Sequence, residues 1–164
     1  MTSPHPQDAI EFLLAEHQAI QALLAEYRAL GHEVPSACRK ALAEQICMEL
    51  TIHGKLKEEL FYPALRDALH QDLLDEAELE HAGCRDLIGQ ILAMGSGDAL
   101  YHAKMTVLAE QVEHHLREEA HLFAQARKCG LDLGKLGRRL AERRTELEVV
   151  SEALREEALV AVIA

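Results

Sequence analysis

The feature that most constrains this chain is a helical spacing of apolar residues that persists from about residue 8 to residue 150. Apolar side chains or histidines recur at alternating steps of three and four, in stretches dominated by Ala, Leu, Glu, Arg and Gln, which favour helix. Loop signals interrupt the spacing at Gly31, at Pro35-Ser36, at Gly95-Ser96-Gly97 and at Gly130. Four long helical segments and a last shorter one are predicted, and such segments pack as a bundle.

The chain length of 164 residues and the 49% hydrophobic content suit one domain with one core. We predict an all-α fold in which an up-down-up-down four-helix bundle over about residues 8–130 is followed by an additional C-terminal helix over about residues 132–158. Residues 1–164 then form a single domain. The last helix places apolar side chains among many charges, at Leu136, Leu140, Leu147 and Val150. This face is expected either to lie on the bundle or to form a homodimer contact.

Charge and cysteine content limit the partners and the compartment. The formal net charge of −11 is unfavourable for binding nucleic acid or an anionic membrane. No apolar run approaches the roughly 20 residues that a membrane span requires. The four cysteines show neither C-x-x-C spacing nor the density of a disulfide scaffold, and residues 1–6 lack the features of a signal peptide. A cytoplasmic location is the expectation.

Each of the four long segments carries one histidine on its apolar line: His17, His53, His81 and His115. A single histidine on an apolar face is usually a core residue hydrogen-bonded to a carbonyl group. Four histidines in one core are different, because burying them is costly unless they satisfy one another or bind a cation. The set therefore favours a metal site.

A glutamate in the fourth segment strengthens this prediction. Glu119 follows His115 by four residues, so both side chains project from the same helical face and one cation could bind both. His114 and Glu118 have the same spacing on a more polar line and remain the alternative pair. In the second segment Lys57 occupies the fourth position after His53. Glu58 follows it, about 140° around the helix from His53, and is a candidate ligand.

An internal repeat links the second and fourth segments. Each places a phenylalanine eight residues after its histidine, Phe61 in one and Phe123 in the other, and each is preceded by a helix with a lone inward histidine. This ordered pattern resembles the hemerythrin-like family, also called HHE cation-binding domains, over about residues 8–150. The stretches that carry the resemblance are "LLAEHQAI", "HGKLKEELFYPAL", "EAELEHAGCRDLI" and "VEHHLREEAHLFAQAR".

The resemblance implies a non-heme di-iron centre, with two iron ions joined by carboxylates and an oxo or hydroxo bridge. The metal ligands that it implies are His17, His53 and Glu58 in one half and His81, His115 and Glu119 in the other. Imidazole and carboxylate together suit iron, whereas no cysteine cluster suggests structural zinc or an iron–sulfur cluster.

Two positions depart from the family pattern. Lys57 stands where the family usually has its first bridging glutamate, and Ala77 stands where a second histidine often precedes His81. The lysine is compatible with a vacant position, an altered metal, or a Glu58 ligand reached through a local helix bulge. Tyr62 is a candidate ligand for a vacant position, with core packing as the simpler interpretation.

The leading functional interpretation is a non-enzymatic carrier, store or sensor that binds O2, NO or a reactive oxygen species such as peroxide. An apolar pocket with residues such as Leu13, Ile20, Leu50, Ile88 and Leu108 would surround the ligand. One alternative is a di-iron enzyme: a peroxidase, an NO reductase or an iron donor for cluster repair. Another is a scaffold with inert histidines. No G-x-S-x-G, Walker-type or G-x-G-x-x-G motif supports hydrolysis or nucleotide binding.

A ferritin-like iron-binding bundle is a further alternative, because two Glu-x-x-His motifs occur, at Glu78–His81 and Glu118–His121. These motifs fall on consecutive segments rather than on alternate helices, and the connections are too short for the crossover of that fold.

Overall fold

Helices make up nearly all of the protein in a computed structural model that describes residues 7–69 and 71–163. In chain order they are α1 (Ala9–Ala29), α2 (Ser36–Leu56), a π-helical turn (Lys57–Phe61), α3 (Tyr62–Leu65), α4 (Gln71–Ala93), α5 (Tyr101–Lys128), α6 (Leu133–Val149) and α7 (Ser151–Ile163). The prediction of an all-α fold is confirmed. Residues 1–6, on which the expected compartment partly rests, lie outside the described residues. Within the described ranges no helix has the length and apolarity needed to cross a membrane.

The bundle consists of the four long helices α1, α2, α4 and α5. Helix α1 packs against α2 and α5, and α4 packs against the same two, so the four helices enclose one interior. Two apolar clusters fill it. One cluster includes Leu13 and Phe123, and the other includes Ile20 and Leu108. His17 lies between Leu13 and Ile20 in α1, so the layer of histidines separates the two clusters.

A π-helical turn interrupts the second segment just before Pro63. The Tyr62 N–H donates to the carbonyl oxygen of Lys57, five residues earlier rather than four. Proline has no N–H, so Pro63 cannot donate to the Glu59 carbonyl as an α-helix requires, and the wider turn accommodates this loss. Lys57 opens the turn and is fully buried, while Glu58 is partly exposed. The helix irregularity that accompanies Pro63 therefore lies beside the histidine layer.

The C-terminal segment forms two helices where a single one was expected. Helix α6 ends at Val149, and α7 begins at Ser151. Val150 between them has a φ of −102° and a ψ of 21°, which break the helical geometry. The break allows α6 to pack along α1 while α7 packs along α4. Leu136, Leu140 and Leu147 of α6 are buried within this chain. The apolar face of α6 thus lies on the bundle, which was one of its two expected positions.

Helix α6 approaches the start of α1 closely at Gly137. A Cβ atom at this position would lie 2.9 Å from the backbone nitrogen of Ala9 and 2.9 Å from the carbonyl carbon of Asp8. Asp8 is the N-cap of α1, where its Oδ1 accepts a hydrogen bond from the Glu11 N–H at 2.9 Å. The absence of a side chain at Gly137 lets the two helices meet backbone to backbone.

Candidate metal centre

Four histidines, one from each long helix, meet in the bundle interior, and all four are buried. The Nε2 atoms of His17 (α1) and His53 (α2) are 3.1 Å apart. The Nε2 atoms of His81 (α4) and His115 (α5) are also 3.1 Å apart. The four imidazoles thus form two pairs, one from each half of the chain, and each pair directs ring nitrogens toward the other.

Carboxylates hold the outer nitrogen of three of these rings. His53 Nδ1 donates to Glu16 Oε2 at 2.7 Å, and His115 Nδ1 donates to Glu80 Oε2. Glu58 Oε1 lies 3.5 Å from His81 Nδ1. A carboxylate on Nδ1 fixes the proton there and leaves the lone pair of Nε2 facing the interior, which is the arrangement that supports histidine ligands in metal sites.

Glu119 lies between the two imidazole pairs. Its Oε2 is 3.3 Å from His17 Nε2 and 3.5 Å from His115 Nε2. Its Oε1 is 3.5 Å from the Tyr62 hydroxyl, which is in turn 3.3 Å from His81 Nε2. Atoms of His17, His53 and Glu119 lie within 4.8 Å of one another and could bind one metal ion together.

A lysine lies at the centre of this group. Lys57 is fully buried, and its Nζ donates to Glu119 Oε2 at 2.8 Å and to His115 Nε2 at 3.0 Å. A buried ammonium group requires a charged or strongly polar partner, and Glu119 supplies the charge. The sequence shows that Lys57 departs from the family pattern, and the structure shows that its amino group contacts Glu119 and His115.

Burial sets the protonation of the centre. It lowers the pKa values of His53 and His81, and it lowers the pKa of His115 to about 3, with the charge of Lys57 adding to the effect for each. Burial alone would raise the pKa of Glu119, but Lys57 and His17 hold the pKa of this carboxyl well below its usual range. These pKa shifts favour neutral rings at His53, His81 and His115 and an ionised Glu119, the forms that bind a metal cation.

The residues expected as ligands do not all lie at the inner face. His17, His53, His81, His115 and Glu119 converge as described. The Glu58 carboxylate is 28% exposed, lies behind His81 and accepts a hydrogen bond from Arg85 NH1 at 2.6 Å. The π-helical turn therefore directs Glu58 toward the outer nitrogen of His81 and places Lys57 inside.

The alternative pairs lie on the surface. The side chains of His114 and Glu118 are 59% and 62% exposed. Glu78 forms an exposed ion pair with Arg66, and His121 is exposed next to Gln125. The glutamates of both ferritin-like motifs thus lie at the surface, whereas His115 and Glu119 lie in the core.

Sequence reasoning missed the outer carboxylates Glu16 and Glu80. Each directly precedes the lone histidine of its helix, His17 or His81, and each binds the histidine of the neighbouring helix. Successive residues differ by about 100° around a helix, so the residue before an inward histidine can face the adjacent helix. The repeated Glu-His dipeptide was the signal that could have identified both residues.

Arg144 of α6 connects the centre to the C-terminal helices. It donates to Glu16 Oε1 through NH1, to Glu49 Oε2 at 2.7 Å through NH2 and to Glu148 Oε1 at 2.8 Å through Nε. Glu16 is thereby held between Arg144 on one side and His53 on the other. Through Arg144 and Glu16, helix α6 thus helps to orient His53, although Arg144 does not contact that histidine directly.

Two pockets reach the centre from different sides. The first, of about 100 Å³, passes Leu50, Ile88 and Val112 and ends at Lys57 and the histidines of α2, α4 and α5. Leu50 and Ile88 were expected to line such a pocket, whereas Leu13, Ile20 and Leu108 are in the apolar clusters. The second pocket, of about 130 Å³, reaches His115 and Glu119 past three glutamates, Glu76, Glu80 and Glu118. An apolar passage suits a small neutral ligand, and an acidic passage suits a cation.

Comparison with known proteins identifies the fold and the family of the chain. The crystal structure of a hemerythrin HHE cation binding domain-containing protein from Mycobacterium kansasii superposes with a TM-score of 0.77, at 23% sequence identity, over 95% of this chain and 99% of that one. This likeness shows a shared fold. No curated protein matches the sequence. The sequence model of the hemerythrin HHE cation binding domain matches residues 8–127. The resemblance found in the sequence is confirmed, and the chain belongs to the hemerythrin HHE cation-binding domain family.

Proposed function

We propose that the protein binds iron in the bundle core and uses it to bind O2, NO or a reactive oxygen species, as a carrier, store or sensor. The observation that carries this proposal is the grouping of four buried histidines in two pairs around Glu119, with one Nε2 atom of each pair within 3.5 Å of Glu119 Oε2 and three of the rings held from behind by carboxylates. Such outer carboxylates orient the histidine ligands of metal sites. The cation-binding family to which the chain belongs supports the same conclusion.

The donor set fits a metal ion best at His17, His53 and Glu119. Two imidazoles and one carboxylate form the ligand type found in non-heme iron sites, and they leave coordination positions open. When bound, iron would supply redox chemistry and an open position for a small ligand. His81, His115 and Tyr62 surround the other side of Glu119, where the family resemblance implies a second iron ion.

The residues of the chain then have distinct tasks. Glu16 holds the His53 ring and Glu80 holds the His115 ring, so that the inner nitrogens face Glu119. Glu58 lies behind His81 and supports that ring rather than the metal. Leu50, Ile88 and Val112 keep the approach to the centre apolar, which favours O2 or NO over water.

The test compares a buried histidine with an exposed one. Wild-type protein made in iron-supplemented cells is expected to contain at least about one iron ion per chain. His53→Ala, which removes one of the proposed ligands, should lose most of this iron, whereas His114→Ala should keep it, because His114 lies on the surface. Iron below about one per ten chains in wild-type protein, or equal iron in the two variants, would contradict the proposal.

Ligand binding and catalysis are separated by a second measurement. Adding O2 or NO to the reduced iron protein should change its visible absorption once, with stoichiometric uptake. Loss of peroxide or NO over many turnovers would instead favour the enzymatic alternative. Absence of any change with each of these compounds would contradict the small-ligand role while leaving iron binding intact.

A further inference from the structure

The two halves of the centre offer different numbers of free donor atoms. In the first half, the inner nitrogens of His17 and His53 face each other and Glu119. In the second half, the ammonium group of Lys57 donates to His115 Nε2 and shares Glu119 Oε2. A lysine ammonium has three donors and no lone pair, so it can occupy the neighbourhood of a metal but cannot act as a ligand in that form.

The lysine also removes a ligand that a second metal would need. Lys57 follows His53 by four residues, as Glu119 follows His115, so Lys57 occupies the place in the first half that Glu119 occupies in the second. One inner carboxylate therefore serves the whole centre, because Glu58 faces the outer nitrogen of His81 and Arg85. A pair of metal ions sharing a single inner carboxylate, with an ammonium beside them, would be poorly compensated in charge.

The surroundings of Lys57 oppose its displacement. The residue is fully buried at the start of the π-helical turn, and its charge is matched by the buried carboxylate of Glu119 at 2.8 Å. A metal ion at His81 and His115 would take the His115 nitrogen from the amino group. The buried ammonium would then lie next to a second cation while Glu119, its charged partner, is shared with the first ion, which is strongly unfavourable.

We infer that Lys57 takes the place of the second metal cation, so that the protein binds a single metal ion at His17, His53 and Glu119. This inference rests on the proposed function of the centre as an iron site. The ammonium group provides the positive charge on the second side of Glu119, where it holds His115 and the carboxylate in position. Lys57 also lines the apolar pocket together with His53, so a ligand that arrives through this pocket meets the metal ligand and the ammonium group together.

The inference is tested by exchanging the charge at two lysines. Lys57→Glu supplies the missing carboxylate at the inner position, and Lys55→Glu makes the same change on a side chain that is partly exposed beside Glu157. Wild-type protein and Lys55→Glu should each contain about one iron ion per chain, and Lys57→Glu about two. The ferric wild type should show the electron paramagnetic resonance signal of an isolated high-spin ion. In Lys57→Glu this signal should fall, because two bridged ferric ions couple their spins.

A titration of wild-type metal-free protein with Co²⁺ gives a measurement that does not depend on the folding of Lys57→Glu. Saturation at about one equivalent is expected, and saturation at about two with a coupled ferric pair would overturn the inference while the proposed function remained. An unchanged iron content in folded Lys57→Glu, or an equal increase in Lys55→Glu, would also overturn it. Absence of iron and Co²⁺ binding in all three proteins would instead show that the proposed function has failed.

Discussion

The first half of the bundle, α1 and α2, and the second half, α4 and α5, build nearly the same arrangement from different details. In each half a Glu-His dipeptide lies on one helix, and its glutamate holds the histidine of the next helix. The two repeated phenylalanines, Phe61 and Phe123, meet edge to face with their ring centroids 5.6 Å apart. The halves differ in the fourth residue after the histidine, which is a lysine in the first half and a glutamate in the second.

This difference shows that the two halves of a repeat can keep the same geometry while they carry opposite charges at equivalent positions. Lys57 and Glu119 occupy equivalent places in the two halves and bind each other at the centre. The supports differ as well. The outer carboxylate of the first half, Glu16, is 8% exposed and held by Arg144, whereas Glu80 in the second half is 33% exposed. We therefore expect the two halves to respond unequally to matched substitutions.

The largest effect is expected when the charge pair between the halves is broken. Glu119→Ala removes the counter-charge of buried Lys57, and loss of one member of a buried pair costs about 3–5 kcal/mol. Urea unfolding of the metal-free protein at neutral pH measures this loss. Glu118→Ala, on the adjacent surface position, should change the free energy of unfolding by less than about 0.5 kcal/mol. A loss below about 1 kcal/mol in Glu119→Ala would show that the two halves do not depend on this pair.

A smaller loss is expected where α6 packs against the first half. Gly137→Ala places a methyl group within 2.9 Å of the Ala9 backbone nitrogen, so α6 must shift. We expect the free energy of unfolding to fall by about 2 kcal/mol, as for other overpacked contacts. In the control Gly134→Ala the added Cβ would lie 3.6 Å from the Asp132 side chain, an ordinary contact. That variant should be neutral or slightly more stable, and equal losses in the two would exclude close packing as the cause.

The outer carboxylates give a direct contrast between the halves. Glu16→Gln should weaken metal binding by about 10- to 100-fold, because it disturbs both the His53 hydrogen bond and the contact with Arg144. Glu80→Gln should weaken it less, since Glu80 is more exposed and its partner His115 also contacts Lys57. Competition titrations with Co²⁺ on both variants measure the difference. A larger effect in Glu80→Gln would reverse the ranking of the two halves.

The smallest effect concerns the pH dependence of the second half. The pKa of His115 is lowered to about 3 in the folded protein, so the unfolded chain binds the proton first as pH falls. The contribution of His115 to stability is therefore complete well above the unfolded pKa of about 6.5 and declines as pH falls from there toward 3. Between pH 6.5 and 5.5 His115 should account for a loss of about 1 kcal/mol in the metal-free protein. Urea unfolding at these two pH values should show a shallower pH dependence in His115→Gln than in His114→Gln.

Most of the fold could be predicted from the sequence because each long helix shows its buried face directly in the spacing of its apolar residues. The break at Val150 could not, because it depends on α6 and α7 packing against different helices of the bundle. Pro63 indicated an irregularity in the chain. The direction in which the π-helical turn points Lys57 and Glu58 depends on the surrounding helices.

The inward histidines could be predicted for the same reason as the fold, since their phase matches that of their apolar neighbours. The phase of the apolar residues does not identify the partners of these histidines, because Glu16, Glu80 and Arg144 act between helices; only the repeated Glu-His dipeptide marks Glu16 and Glu80, and nothing in the sequence marks Arg144. The sequence predicts Glu58 as a ligand, whereas its carboxylate lies at the outer nitrogen of His81, where we propose that it supports the ring. Which side chains share a helical face is a local property of sequence, whereas which faces touch is a property of the assembled bundle.

The contact of Arg144 with Glu16 couples the position of α6 on the bundle surface to the histidines of the core. Arg144 acts on the ring of His53 through Glu16, and it contacts α2 directly through its hydrogen bond with Glu49. A change that separates α6 from the bundle consequently removes this support from the His53 ring and weakens the affinity for a cation. Thermodynamic reciprocity requires the converse, so binding of a cation at the centre stabilises the packing of α6 on the bundle.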